Sequence, residues 1–121
     1  MKFLFWNVRG INMPRKQKDL KKYLREYNAD IVCLVETHVQ QFKFDLVAEY
    51  ILPRWQRFCN YECAASGRIW ILWRDHIHFQ VHSMSHQAIH GHIMDTNTKH
   101  YTFVSFIYAE CYDPARRPLL G

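Results

Sequence analysis

The sequence predicts an α/β fold, a mixed sheet with helices on its outer face, and three observations carry that expectation. Two short runs, Phe3–Trp6 and Ile31–Val35, are apolar at nearly every position, as expected of strands covered on both faces. Between them Leu20, Tyr23, Leu24 and Tyr27 recur at i, i+3, i+4, i+7, which is one apolar stripe of a helix. Further along, the β-rich runs "RIWILW", "HIHFQVHSM", "QAIHGHIMD" and "HYTFVSFIY" are separated by turn residues and predict an antiparallel meander.

Taken in order, the first strand spans Lys2 to Val8 and Arg9 to Met13 form a connector. Pro14 suits the first turn of a helix, where its missing N–H costs nothing. Arg15, Lys16, Lys18, Lys21, Lys22 and Arg25 populate the face opposite the apolar stripe, and simple solvation is the plainer reading of that basic face. Strand, helix, strand implies a right-handed crossover and a parallel pair. A short helix follows over Phe42–Tyr50, with Phe44, Val47, Ala48 and Ile51 at helical spacing and Pro53 ending it. Asp95, Thr96, Asn97 and Thr98 make a hairpin connection. Near the end, Asp113 can cap a helix with Pro114 at its first position.

Composition bounds the function classes. Hydrophobic residues make up 49% of the 121, enough for the core of one small domain and unlike a disordered segment. No apolar stretch approaches the ~20 residues of a membrane helix, and no secretory leader pattern is visible, so an intracellular location is expected. The net charge of +5 favours anionic partners such as nucleic acid. Cys33, Cys59, Cys63 and Cys111 lack a framework spacing and read as free thiols.

The chemistry lies where the first two strands end. Each apolar run stops at a polar residue, Asn7 in one case and Glu36 in the other. In a parallel pair the carboxyl ends share one edge of the sheet, which is where open α/β sheets bind ligands. An amide and a carboxylate meeting there suit a hard cation such as Mg²⁺, which takes one or two carboxylates plus water and substrate phosphate. Taken singly, each is more often a turn former or a solvated residue.

On "FWNVRGIN", "DIVCLVETH", "GRIWILW" and "FVSFIYAECYDPARRPLL", the chain resembles the endonuclease/exonuclease/phosphatase superfamily. The nearest resemblance is to the apurinic-like endonuclease domain of plant non-LTR (LINE-type) retrotransposons. The resemblance implies a DNase I-like four-layer α/β sandwich and Mg²⁺- or Mn²⁺-dependent hydrolysis of DNA phosphodiesters, in an intracellular, nuclear setting. It implies that Asn7 positions metal and scissile phosphate, that Glu36 binds the metal, and that Tyr108 sets its hydroxyl beside the phosphate. Arg116 or Arg117 falls at the place of a DNA-contacting arginine. Without the resemblance, Tyr108 reads as a core aromatic with a wet hydroxyl.

The same resemblance implies a Gly-Asp-x-Asn and a Ser-Asp-His motif further on, and neither occurs in the 121 residues. The expectation is therefore an amino-terminal half, a partial domain over residues 1–121 that is catalytically incomplete. It would supply roughly the first sheet and its helices, with the inner face of that sheet exposed to self-association or to a complementing carboxy-terminal half. A non-catalytic nucleic-acid-binding module derived from the family is the alternative. Two imitations of the missing motifs, Asp95-x-Asn97 and Asp75-His76, stand in the wrong order and read as structural. His86 and His90 match zinc-helix spacing, but on a strand they would lie ~13 Å apart, too far for one ion. His90 and His92 share a strand face but have no identifiable further ligand.

Overall fold

The computed structural model describes residues 1–63 and 69–108. Its elements are β1 (Phe3–Asn7), α1 (Pro14–Tyr27), β2 (Ile31–Val35), α2 (Phe44–Ile51), β3 (Gln56–Cys59), β4 (Ile69–Trp73), β5 (Ile77–Met84), β6 (Ala88–Asp95) and β7 (His100–Ile107), with a 3₁₀ turn Gln41–Lys43 leading into α2. They form two sheets, β1-β2-β4-β3 and β5-β6-β7.

The first sheet is mixed. β1 and β2 run parallel with Asn7 opposite Val35, while β4 lies antiparallel to both β2 and β3. Alternation sorts its side chains into two layers. Val32, Leu34, Trp70 and Leu72 pack with Leu20 and Leu24 of α1 and with Val47, Ala48 and Ile51 of α2. Ile31, Cys33, Val35, Ile69, Ile71 and Trp73 face the other way, onto Ile77, Ile89, Ile93 and Phe106 of the second sheet. Both faces of β2 and β4 are thus covered, which is why neither strand shows a polar alternation.

Helix α1 opens on Pro14 without a side-chain cap and closes at Asn28, whose left-handed backbone (φ 60°) returns its N–H to the Leu24 carbonyl. Arg15, Lys16, Lys18, Lys22 and Arg25 are exposed, so the basic face points outward as expected, while Lys21 is half-buried. In the second sheet Gly91 is required by close approach: a Cβ there would sit 2.2 Å from the Gln80 carbonyl oxygen, beside the irregularity in register between Val81 and Ser83.

Three expectations are corrected. "RIWILW" does not belong to the meander, because β4 inserts between β2 and β3 in the first sheet. β3 was not foreseen at all; "QRFC" is an edge strand held by backbone pairing to β4. The inner face of the first sheet is covered by β5–β7 over β2 and β4, where Ile31, Cys33, Val35, Ile69 and Ile71 are at most 1% exposed, but it stays open at β1, where Phe3 and Phe5 are 41% and 53% exposed. Further exposed apolar side chains among the described residues include Phe42, Leu46 and Tyr50 along α2 and the turn before it, and Tyr101, Phe103 and Ile107 on β7. Among the described residues no helix is long and apolar enough to cross a membrane.

Candidate active site at the carboxyl edge of the first sheet

Asn7 is the last residue of β1 and shares its face with Phe3 and Phe5, the face turned toward the second sheet. The parallel register sets it opposite Val35, so the residue after β2, Glu36, emerges alongside. Glu36 adopts a left-handed backbone (φ 57°), as do Arg9 (52°) and His38 (59°) in the same two loops. Such conformations persist for non-glycine residues only where the surroundings enforce them. Here the enforcement is visible: hydrogen bonding between the two chains continues past the strand ends, Val8 N–H to Val35 O (3.1 Å), Gly10 N–H to Glu36 O (2.7 Å) and Ile11 N–H to Thr37 O (2.8 Å). Gly10 itself has φ 94°, and a Cβ there would meet the His38 ring at 3.1 Å.

The side chains converge. Asn7 donates its amide N–H to Glu36 Oε2 at 2.7 Å, and the Tyr108 hydroxyl donates to the same oxygen at 2.9 Å. Tyr108 follows directly on β7, so this contact ties the second sheet to the edge of the first; its N–H is anchored on the Gln87 carbonyl. The Asn7 carbonyl oxygen is occupied by the Arg9 N–H at 3.0 Å, which fixes the amide's orientation. Both of these hydrogen bonds thus fall on Oε2 of the carboxylate.

These contacts hold the Glu36 carboxyl below the usual carboxylate range, chiefly through the Asn7 hydrogen bond, then the one from Tyr108. Electrostatic interaction with His38 and Arg9 acts in the same direction, with partial burial opposing. Nothing in the sequence points to these two neighbours or to the anchor behind them. Tyr61, buried, donates its hydroxyl to the Val39 carbonyl at 2.5 Å and accepts from Trp70 Nε1 at 3.3 Å, which ties the loop after Glu36 to the core. Burial pushes its phenol up to about 12, so it remains a neutral donor at all ordinary pH values. An aromatic in "NYEC" carries no signal of that role, because its partner is a backbone carbonyl in a distant loop.

The remaining sequence candidates sort plainly. Arg116 and Arg117, like Asp113, Pro114 and Cys111, lie outside the described residues. Asp95 is buried, and its carboxylate caps the β6–β7 turn by accepting the N–H groups of Asn97 and Thr98. His76 pairs with Asp30 at 3.1 Å beside the turn into β5. His86 lies in the β5–β6 turn rather than on a strand, and His90 bonds Ser105. Among the described residues no group of three or more His, Cys, Asp or Glu could together enclose a metal ion. Cys33, Cys59 and Cys63 are free thiols, and burial pushes the first two far above the ordinary thiol range.

A polar edge thus stands above two face-to-face sheets, with the Glu36 carboxylate held by an amide and a phenol. The chain belongs to the endonuclease/exonuclease/phosphatase family, whose pattern it matches over residues 4–119. Over 49 residues it is 43% identical to an exodeoxyribonuclease of Bacillus subtilis (strain 168), a stretch covering 40% of this chain and 19% of that relative.

Proposed function

We propose that this chain carries the cation- and phosphate-holding part of a divalent-metal-dependent DNA endonuclease of the non-LTR retrotransposon type. The observation that carries the reading is the convergence of Asn7, Glu36 and Tyr108 on one oxygen at the carboxyl edge of the sheet. Family membership supports phosphodiester chemistry, and the wording "WNVRGIN" and "VETH" supports the retrotransposon type.

The donor set fits a hard cation. A single ionised carboxylate, with no cage of further His, Cys, Asp or Glu ligands among the described residues, suits Mg²⁺ or Mn²⁺, which complete their shells with water and substrate phosphate, and is too sparse for structural zinc. Bound there, such an ion supplies charge neutralisation on the phosphate and stabilisation of the leaving oxygen. The chain's own residues do the rest of the holding. Glu36 stays ionised and presents Oε1, because Asn7 and Tyr108 occupy Oε2. Asn7 orients the carboxylate rather than offering its own oxygen, which Arg9 N–H already engages. The Tyr108 hydroxyl stands where it can turn from carboxylate to phosphate oxygen, and Arg9 adds positive charge beside it.

Generation of the attacking hydroxide is assigned to the Gly-Asp-x-Asn and Ser-Asp-His motifs, which these 121 residues lack. The reading therefore predicts that the chain, given Mg²⁺ and supercoiled plasmid, binds DNA in a Mg²⁺-dependent way without nicking it, and that Glu36→Gln abolishes the Mg²⁺ dependence. Robust nicking removed by Glu36→Ala would overturn the claim of incompleteness. DNA affinity indifferent to both Mg²⁺ and Glu36, but lost on removing charge at Lys21, Lys22 and Arg25, would transfer the function to the basic face of α1 as a non-catalytic binding module.

A further inference from the structure

Helix α2 buries Val47, Ala48 and Ile51 against the first sheet. Its flank toward β3 is acidic, with Asp45 and Glu49 both reaching Arg57. The third side is unusual. Phe42, Leu46 and Tyr50 follow one another at four-residue spacing through the 3₁₀ turn and the helix, and they are 78%, 73% and 41% exposed. An apolar row of this kind on an outer helix face is a binding surface rather than a solvated one.

That row forms one lip of a groove of about 620 Å³ running between α2 and the start of α1. His38, two residues beyond Glu36, is among its lining residues, so the groove adjoins the loop that carries Glu36. No aspartate or glutamate lines it. Two ammonium groups stand over its rings instead: Lys21 Nζ lies 4.5 Å from the Tyr50 ring centre, and Lys43 Nζ lies 5.7 Å from that of Phe42. Flat apolar faces interleaved with cations, and carboxylates drawn off to Arg57 on the β3 flank of the same helix, match a chain of planar bases joined by phosphates. A duplex keeps its base faces stacked internally and cannot offer them to Phe42.

We propose that this groove is a subsite for unpaired nucleotides of the strand whose phosphate is held at Glu36, with a base stacked on Phe42 and its phosphate on Lys43. The proposal rests on the phosphodiester reading of that edge and adds a preference for substrates with a single-stranded flank beside the scissile phosphate.

The test is fluorescence anisotropy with a short labelled oligothymidylate and a blunt duplex of equal length, both in chelator so that any metal bound at Glu36 is out of play. Phe42→Ala and Leu46→Ser, both at exposed positions, are each expected to weaken oligothymidylate binding by ~5–20-fold while changing duplex binding less than ~2-fold, the loss expected for removal of a base-stacking contact. Phe42→Tyr should restore the wild-type affinity. Equal effects on both DNAs, no effect on either, or no single-strand binding by the unaltered chain would each overturn the proposal. So would concentration-dependent dimerisation abolished by Phe42→Ala with oligonucleotide affinity unchanged, which would assign the row to a protein contact. None of these results depends on divalent metal, so failure here leaves the Glu36 reading standing, and the reverse holds as well.

Discussion

At the scale of single residues, Glu36 concentrates the side-chain hydrogen bonding of the sheet edge and its titration behaviour alike. Its carboxyl is held below the range of a free glutamate by Asn7 first and Tyr108 second. A depressed folded-state value means the stabilisation is complete above the unfolded glutamate value of roughly 4.3 and disappears as pH falls through the lower folded value. Following the Glu36 side-chain carboxyl carbon by NMR should therefore show a midpoint below that of a model peptide. Asn7→Ala should move the midpoint upward more than Tyr108→Phe, because the amide is the larger cause. Much of this site was readable in advance, since two fully apolar strands that each stop on a polar residue, joined by a crossover helix, must put those residues side by side. Tyr108 was not readable that way. Nothing local separates it from a core aromatic, and its contact with Glu36 spans 72 positions, so the resemblance alone singled it out. Phe42, Leu46 and Tyr50 went unread because periodicity was used to find the buried face of α2, and the exposed one carried its own pattern.

At the scale of elements, the two loops that carry Asn7 and Glu36 are stiffened by backbone pairing beyond the strand ends and by Tyr61 behind them. Tyr61→Phe removes the donor to Val39 and leaves that carbonyl buried, a loss of about 1–3 kcal/mol. Amide hydrogen exchange should report it as faster exchange at Gly10 and Ile11, with the β5–β7 amides unchanged. The second sheet has its own weak point. Gly91→Ala drives a methyl into the Gln80 backbone, and a cost of about 2–3 kcal/mol in urea unfolding is expected, at the upper end for overpacking. Which strands pair was less legible than which segments are strands. "RIWILW" and the runs after it look alike, and only the burial of β4 on both faces assigns it to the first sheet. β3 has no hydrophobic alternation, because an edge strand is selected by its partner's backbone and not by its own side chains.

For the molecule as a whole, the core is shared between layers: Ile89 and Ile93 from one sheet lie against Ile31, Cys33 and Ile71 from the other. Ile89→Ala should cost about 2–5 kcal/mol, and circular dichroism and tryptophan fluorescence should still report one coincident transition, since neither sheet keeps its inner face covered without the other. Apolar residues left outside include Phe3 and Phe5 on β1 and Tyr101 and Phe103 on β7; if a second copy packs on them, analytical ultracentrifugation will show concentration-dependent association weakened by Phe5→Ser. The central claim, however, concerns the edge above that core. Paramagnetic broadening by Mn²⁺, read residue by residue in the NMR spectrum, tests it most directly. The account predicts that resonances of Asn7, Glu36 and Tyr108 broaden first and that Glu36→Gln removes the effect. Broadening centred on the histidines of β5 and β6, or at the same positions but undiminished in Glu36→Gln, would contradict it.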